Sequence, residues 1–572
     1  MSGNINFKVY PSTNRVPGTF AEVDNSKANT GQVNQVALLI GPMLPSGNAV
    51  PNVPALLAGI GDAETAYGTN SVLALMAAQY RDSDSFGTVW CLPVPDSGFT
   101  LDTSTAQTAA GTTLQFNPAS IMAAISVGMP VSGPDIPAGT TVSSINTTTG
   151  LVTLSQATIA AVPAGTPVMF GQASYATGQI TVSGMATAAG VISLYIAGTL
   201  VSTVVSVGDT AAEIAANMLA EINYTAGLPV SAALNGAAIT LTALNAGLPG
   251  NDIDMRLNYL GTAGGQALPA GVSVNFTGTA SGSGYLLAGG AVNPSLTTAL
   301  ANLPTQPFDF IATAFTDEPS LAALNQFLND ETGRWSWTQE LFGGYFGAYR
   351  GTLGALNTYG TANNDQHGSV MGIFDVPQPA WIWAAEIAAQ CAVSIRANPA
   401  MPLQNITMNV LPPPAQSQFD ISERNTLLYD GISTFKVTAD AVVMERMVTT
   451  YQENTAGQPD DSYLDVETMY TLMAGIRDMM TYLASQYSRA ILVQNGNPTP
   501  YGSGMVTAAT ILASVNARYA TQCANGWMQN PTQFAQQSQA QNAGNGTVKL
   551  LLPFMLANQL RDIAMLVQFT KP

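Results

Sequence analysis

Charge is what this sequence has least of. Only 9% of its 572 residues are Asp, Glu, Lys or Arg, against roughly a quarter in an ordinary soluble protein. With 47% hydrophobic residues, the chain cannot be of the disordered class, which combines high charge with low hydrophobicity. The shortage also argues against a lone soluble enzyme, whose surface carries far more charge. Much of the surface must instead be uncharged Ser, Thr, Asn, Gln, Gly and Ala, which suits a subunit packed against copies of itself. Basic residues are scarcer still: seventeen against thirty-five acidic ones, net −18, with no basic run. Nucleic-acid binding depends on Lys and Arg neutralising phosphates, so no direct contact with DNA or RNA is expected.

Other absences narrow the chemistry. The three cysteines, Cys91, Cys391 and Cys523, are far apart and form no CxxC pair, which reads as a reduced, cytosolic history rather than a disulfide framework. His367 is the one histidine, so no multi-histidine metal site can form. None of the five lysines follows a glycine and no GxGxxG occurs, which removes the common phosphate-binding loops. The acidic stretch QPDDSYLDVE lacks the spacing and central glycine of a calcium loop and reads as a helix start, where carboxylates favour the dipole. No cofactor is expected. No run of eighteen apolar residues occurs, and the nearest, PAWIWAAEIAAQCAVSI, is broken by Glu386 and too short to span a bilayer. The first residues lack the apolar core of a signal peptide. The expectation is a soluble chain, neither inserted into a membrane nor exported by its own signal.

His367 lies between Asp365 and Ser369 in NNDQHGSVMG, the three residue types of a serine-protease triad. Triad members normally come from separate elements and converge. Residues two apart on one loop cannot easily place Asp on one ring nitrogen and Ser on the other. The stretch reads as a polar loop entering a strand, and a subtilisin-type hydrolase would need a distant residue to complete it.

What is present is a mosaic. Residues 1–33 are polar and turn-rich, with a short extended candidate at Thr19, Phe20, Ala21, Glu22 and Val23. Residues 34–98 and 285–400 show strand–helix alternation, which argues for one discontinuous α/β domain with a mainly parallel sheet. NQVALLIGPM reads as a buried strand of that sheet, closed by Gly41-Pro42. Residues 99–172 are rich in Thr, Ser, Val and Gly with a TTTG turn, and read as a small inserted all-β module. Residues 173–284 read as ββαββ. Asp209 or Thr210 caps the helix with Glu213 placed for a capping box, and Asn235-Gly236 marks a hairpin. Residues 401–572 follow a proline linker and hold a long helix near 465–491, in which Val466, Met469, Met473, Ile476, Met480, Leu483 and Tyr487 step by three and four. The chain closes in QLRDIAMLVQFTKP. Ile563, Met565, Val567 and Phe569 share one face of a strand pattern and Leu566 lies on the other. Termini are usually frayed and polar. This one could close a hairpin with VKLLLPF in its own chain or add to the sheet of a neighbour.

Long stretches in matching order resemble the contractile-tail sheath proteins of Mu-like bacteriophages: RVPGTFAEVDNSKANTGQVNQVALLIG, TGQITVSGMATAAGVISLYIAG, SVGDTAAEIAANMLAEIN and LLPFMLANQLRDIAMLVQF. The resemblance covers nearly the whole chain. The β module at 99–172 departs from it, interrupting a run that otherwise continues from WCLPVPD to ATGQITVSG. The fold it implies is a multidomain α+β and α/β chain. Its central sheet domain is subtilisin-like without protease activity, its inserted modules are β-rich, and its α+β C-terminal sheath domain carries extended terminal arms. The function it implies is a structural subunit. Six-membered rings stack helically around a tail tube, arms exchange strands, and contraction drives the tube through the host envelope. Implied partners are copies of itself, the tail tube protein, and the baseplate and tail terminator proteins. The implied location is the tail of the virion, assembled in the bacterial host cytoplasm. In that frame Thr19–Val23 and Ile563–Thr570 are inter-subunit strand arms, and Arg477, Arg489 and Arg518, on helices of the inner domain, are candidates for contact with an acidic tube. A secreted or virion surface adhesin built of β modules is the alternative outside this family.

Overall fold

The structure, a computed structural model, describes residues 35–96, 98–117, 125, 127–171, 174–500 and 504–571. Its centre grows from the run Ala37–Met43, buried at all seven positions. Alternate side chains point to opposite faces. Ala37, Leu39 and Met43 enter one core with the helices Val72–Ser83 and Ala380–Ala397. Leu38 and Ile40 enter a second core with the helix Glu318–Leu328. A strand covered on both faces needs apolar residues throughout, as in parallel sheets. This strand runs past Gly41-Pro42 to Met43, beyond where the sequence closes it. From Gly41 to Met43 it pairs on one side only, with Pro93–Pro95, so the missing N–H of Pro42 interrupts no second ladder.

Around it lies a nine-stranded sheet. Its order is Ala55–Leu56, Val89–Pro95, Ala37–Met43, Phe310–Thr313, Gly344–Arg350, Gly368–Ile373, Ile432–Thr438, Ala441–Arg446, Ile406–Met408. The six strands from Val89–Pro95 to Ile432–Thr438 are mutually parallel, and the outer ones pair antiparallel. The sheet therefore continues past residue 400 and takes three strands from the segment that follows the α/β alternation. The apolar helix Ala380–Ala397 is wrapped by this sheet, and Glu386 within it is fully buried. That carboxylate accepts from Gln79, Ser83, Gln390 and the Asn409 backbone, which offsets the desolvation of a buried charge. No helix among the described residues is long and apolar enough to cross a membrane.

Two β units sit between the halves of this sheet in the sequence. Gly98–Gly171 holds a six-stranded antiparallel sheet around its own core of Phe116, Val152, Val168 and Phe170. The second unit packs the helix Ala211–Tyr224 against a four-stranded and a five-stranded sheet. Thr210 is the N-cap and completes the capping box with Glu213. The hairpin loop is Gly236-Ala237, one residue later than the Asn-Gly signal suggests, with Gly236 at φ +63°. The ββαββ reading undercounts the unit. Asp254–Leu257, Val272–Thr277, Thr279–Ser281 and Gly284–Leu286 are also strands; Val272–Thr277 alternates apolar and polar residues and could have been found, whereas the other three are too short to show a period.

Buried polar groups fasten this unit to the central sheet. Asp96, at the exit of Val89–Pro95, accepts from Asn245 Nδ2 at 2.8 Å and the Ala246 N–H at 3.1 Å. Asn245 in turn caps the helix Val72–Ser83 through the Val72 N–H. Burial pushes the Asp96 carboxyl up to about 7, against the pull of those two donors. On the far side, Arg256 pairs with Asp254 and with Asp375 at 3.3 Å, all three buried.

Candidate assembly interface

The one histidine is clamped rather than activated. His367 Nε2 lies 3.3 Å from Asp330 Oδ1 and Nδ1 lies 3.3 Å from Asp365 Oδ1. A triad would give one ring nitrogen to a serine; here carboxylates flank both. Ser369 Oγ turns elsewhere, donating to the Val448 carbonyl at 2.7 Å and lying 3.0 Å from Ser433 Oγ. Burial works to lower the imidazole, but the Asp330 and Asp365 partners outweigh it and hold it above its ordinary value. The pair of carboxylates makes a charged tie between two loops, with no base left free. No cluster of metal-ligating residues occurs among the described residues.

The candidate tube-facing arginines separate into two kinds. Arg477 donates to Asp309 Oδ1 and, at 2.6 Å, to the Leu341 carbonyl. Asp309 is fully buried and its other oxygen accepts the Val36 N–H. Burial pushes that carboxyl up while Arg477 pulls it down. Arg518 forks onto Asp478, which also accepts from Gln522. Arg477 and Arg518 thus spend their charge inside the chain. Arg489 has no ion pair among the described residues.

The long helix spans Val466–Tyr487 and serves two cores. Val466, Tyr470 and Met473 pack into the central one, whereas Met479 and Leu483 join Val515, Tyr519, Met528 and Phe534 in a small separate core. Gly475 lies at the passage. A Cβ there would stand 2.3 Å from Met528 Cε and 3.3 Å from the Phe554 ring, so any side chain at the crossing would have to displace the Met528 tip. The small core is built from the helices Ala508–Ala524 and Pro531–Gln537. Tyr519 and Phe534 stack with ring centroids 3.6 Å apart.

On this core rests a hairpin, Gln539–Gly544 with Thr547–Leu551. Asn545 and Gly546 form its turn at φ +50° and +77°, the left-handed pair that a tight hairpin favours. The Asn-Gly dipeptide was the signal that could have found this element from sequence; the reading overlooked it. VKLLL therefore pairs with QAQNAG and not with the end of the chain. The hairpin is a complete sheet of two strands, and among the described residues neither outer edge has a partner.

The chain then runs back across the small core and Leu556 bridges to Met528. Ile563, Met565, Leu566, Val567 and Phe569 follow. They form no ladder in their own chain and are 73–88% exposed. Thr19–Val23 lies outside the described residues. The structure thus brings together an unpartnered apolar segment and an open-edged hairpin within one C-terminal region.

Residues 289–450 match the family described as the phage tail sheath protein central domain. The chain is 29% identical over 571 residues to the Mu-like prophage FluMu tail sheath protein of Haemophilus influenzae, covering 99% of each. Two solved sheath tail proteins are similar at low sequence identity. That of Desulfitobacterium hafniense has a TM-score of 0.40 at 10% identity, over 95% of this chain and 97% of its own. That of Listeria innocua has a TM-score of 0.38 at 12% identity, over 91% and 95%. The matched central-domain stretch supplies six of the nine strands of the large sheet, and the similarity to a prophage tail sheath protein runs from end to end of the chain.

Proposed function

We propose that the subunit builds six-membered rings, stacked helically around the tail tube and joined by strands exchanged through the terminal arms. The observation that carries this reading is the exposed row Ile563, Met565, Val567 and Phe569, in a chain whose C-terminal hairpin keeps both edges open. A two-stranded ribbon is marginal alone and is strengthened by further strands. Burying four such side chains stabilises by roughly 6–12 kcal/mol, and ordering eight residues costs roughly 8–16 kcal/mol. Main-chain hydrogen bonds must close the difference, so one arm binds weakly and the lattice is held by multiplicity. Thr19–Val23 is proposed to add to the same shared sheet from another neighbour.

Head-to-tail contacts that do not close generate helical assemblies. Main-chain pairing keeps the subunits connected while side-chain interfaces rearrange. The extended sheath is then a kinetically held state, and contraction after a signal from the baseplate releases it to drive the tube through the host envelope. Further proposed partners are the tube protein and the tail terminator, with assembly in the host cytoplasm. The six parallel strands with helices on both faces support a subtilisin-like topology for the central domain. We assign that domain to 34–98 and 285–400, its sheet completed by three strands lent by the segment after residue 400, with 99–172 and 173–284 as outward modules, 1–33 as an arm and 401–572 as the inner domain. For tube contact, Arg489, which has no ion pair among the described residues, fits better than Arg477 and Arg518, whose charges are paired within the chain.

Electron microscopy of purified full-length protein, of Val567→Pro and of a chain ending at Arg561 tests the arm. The expected result is hollow helical cylinders from the full chain alone, because proline removes a ladder N–H. Cylinders from all three would sink strand exchange while leaving the sheath assignment intact.

A further inference from the structure

The exposed arm does not begin where the core ends. Between Leu556 and Ile563 the chain returns to the central body and is gripped there. Gln404 Nε2 donates to the Leu560 carbonyl at 3.2 Å. Arg561 Nη2 donates to Asp465 Oδ1 at 2.9 Å and to Glu467 Oε1 at 3.0 Å, and Nη1 reaches Gln404 Oε1 at 3.3 Å. Glu467 is fully buried and also accepts the Leu403 N–H. Asp465 is shared with Arg446 at 2.9 and 3.1 Å. The result is a neutral cluster of two arginines and two carboxylates. Arg561 itself is only 14% exposed, whereas every described residue after it is exposed and none makes a hydrogen bond.

We infer that Arg561 is the anchor of the C-terminal arm: an ionic clasp on Asp465 and Glu467 fixes the arm's root to the central body, so that only residues 562–572 leave the subunit. This deepens the strand-exchange reading and rests on it for its role in assembly. Glu467 could not stay ionised in the interior without a partner, because an uncompensated buried charge is strongly unfavourable. One guanidinium nitrogen meets both carboxylates while the other reaches Gln404, a planar spread of donors that a lysine ammonium does not match. Because Asp465 and Glu467 open the long helix, the root moves with the central sheet and not with the hairpin. The clasp therefore sets the origin of the strand offered to a second copy of this chain.

Arg561 is itself a trypsin site, which gives a test that needs no neighbour. Dilute full-length protein is digested briefly and loss of residues 562–572 is followed by intact mass. Cleavage at Arg561 is expected to be about tenfold slower than in Asp465→Asn/Glu467→Gln, where the site opens more often. The milder Gln404→Ala in high salt should fall between them, and serves if the double variant does not fold. Equal cleavage at Arg561 in wild type and in the folded variants would overturn the clasp. Cylinders from the chain ending at Arg561 would instead remove strand exchange and leave the clasp to be judged by proteolysis alone.

Discussion

At the scale of single residues, low overall charge raises the stakes for each charged group that is buried. Asp309 sits under the central sheet with Arg477 as its ion-pair partner. Removing one partner of a buried pair strands the other. Arg477→Ala should therefore cost about 3–5 kcal/mol, seen in urea denaturation, and Asp309→Asn in the same chain should recover much of it. A loss below about 1 kcal/mol would place that charge in water.

Asp96 carries the clearest pH signature. Its carboxyl titrates near 7 in the fold, above the ordinary value near 4. Between those values the folded state keeps a proton that the unfolded state has lost, so stability falls as pH rises through the window and levels off above it. Asp96→Asn removes this contribution. The variant should melt progressively higher relative to wild type from pH 4 to 7, by on the order of 4 kcal/mol in all. A difference in Tm that stays constant across the range would show that Asp96 is ionised throughout. His367 has the same sign in a higher window. Its raised value adds stability below about 6.5, and that stability is lost as pH rises through the folded value.

At the scale of elements, the long helix is the mechanical link. It is rooted in the central core at Val466–Met473 and in the small core at Met479, so a displacement of one must load the other. At Gly475 a larger side chain would have to displace the Met528 tip and press on the Phe554 ring. Gly475→Leu should lower stability by about 1–3 kcal/mol through overpacking, although glycine in a helix interior is itself unfavourable by about 1 kcal/mol. Gly354, on the helix Leu353–Thr361, has open space around its Cβ position, and Gly354→Ala should be neutral or stabilising in the same thermal melts. Equal effects at both glycines would mean that the crossing is loose.

At the scale of the whole molecule, the inserted β module is the part most easily spared. Its ladders, turns and side-chain hydrogen bonds close on one another, and its ends meet because Gly98 pairs with Gly171. Opposed residues in an antiparallel pair are about 5 Å apart, a gap that a two-residue turn can bridge. Replacing Phe99–Phe170 by Asn-Gly should leave the melting of the remaining chain and its assembly into cylinders unchanged. Failure of the shortened protein to assemble, with its melting intact, would give the module a role between subunits.

The sequence by itself determined the local elements. Burial on two faces forces continuous apolar runs, and burial on one face forces a period of two or 3.6, so Ala37–Met43, Ala211–Tyr224 and Val466–Tyr487 were all legible. The tertiary structure decided what lies far apart in the chain. Nothing local couples Asp309 to Arg477 or Arg561 to Glu467, since a salt bridge depends on position in space and leaves no period. Nothing local stops the sheet at residue 400 either, because an added strand is chosen by the edge it meets. The end of the chain shows both limits. Its alternation reads as a strand, and among the described residues it has no ladder partner, because side-chain alternation sets which face a residue takes and leaves the edge it pairs with open.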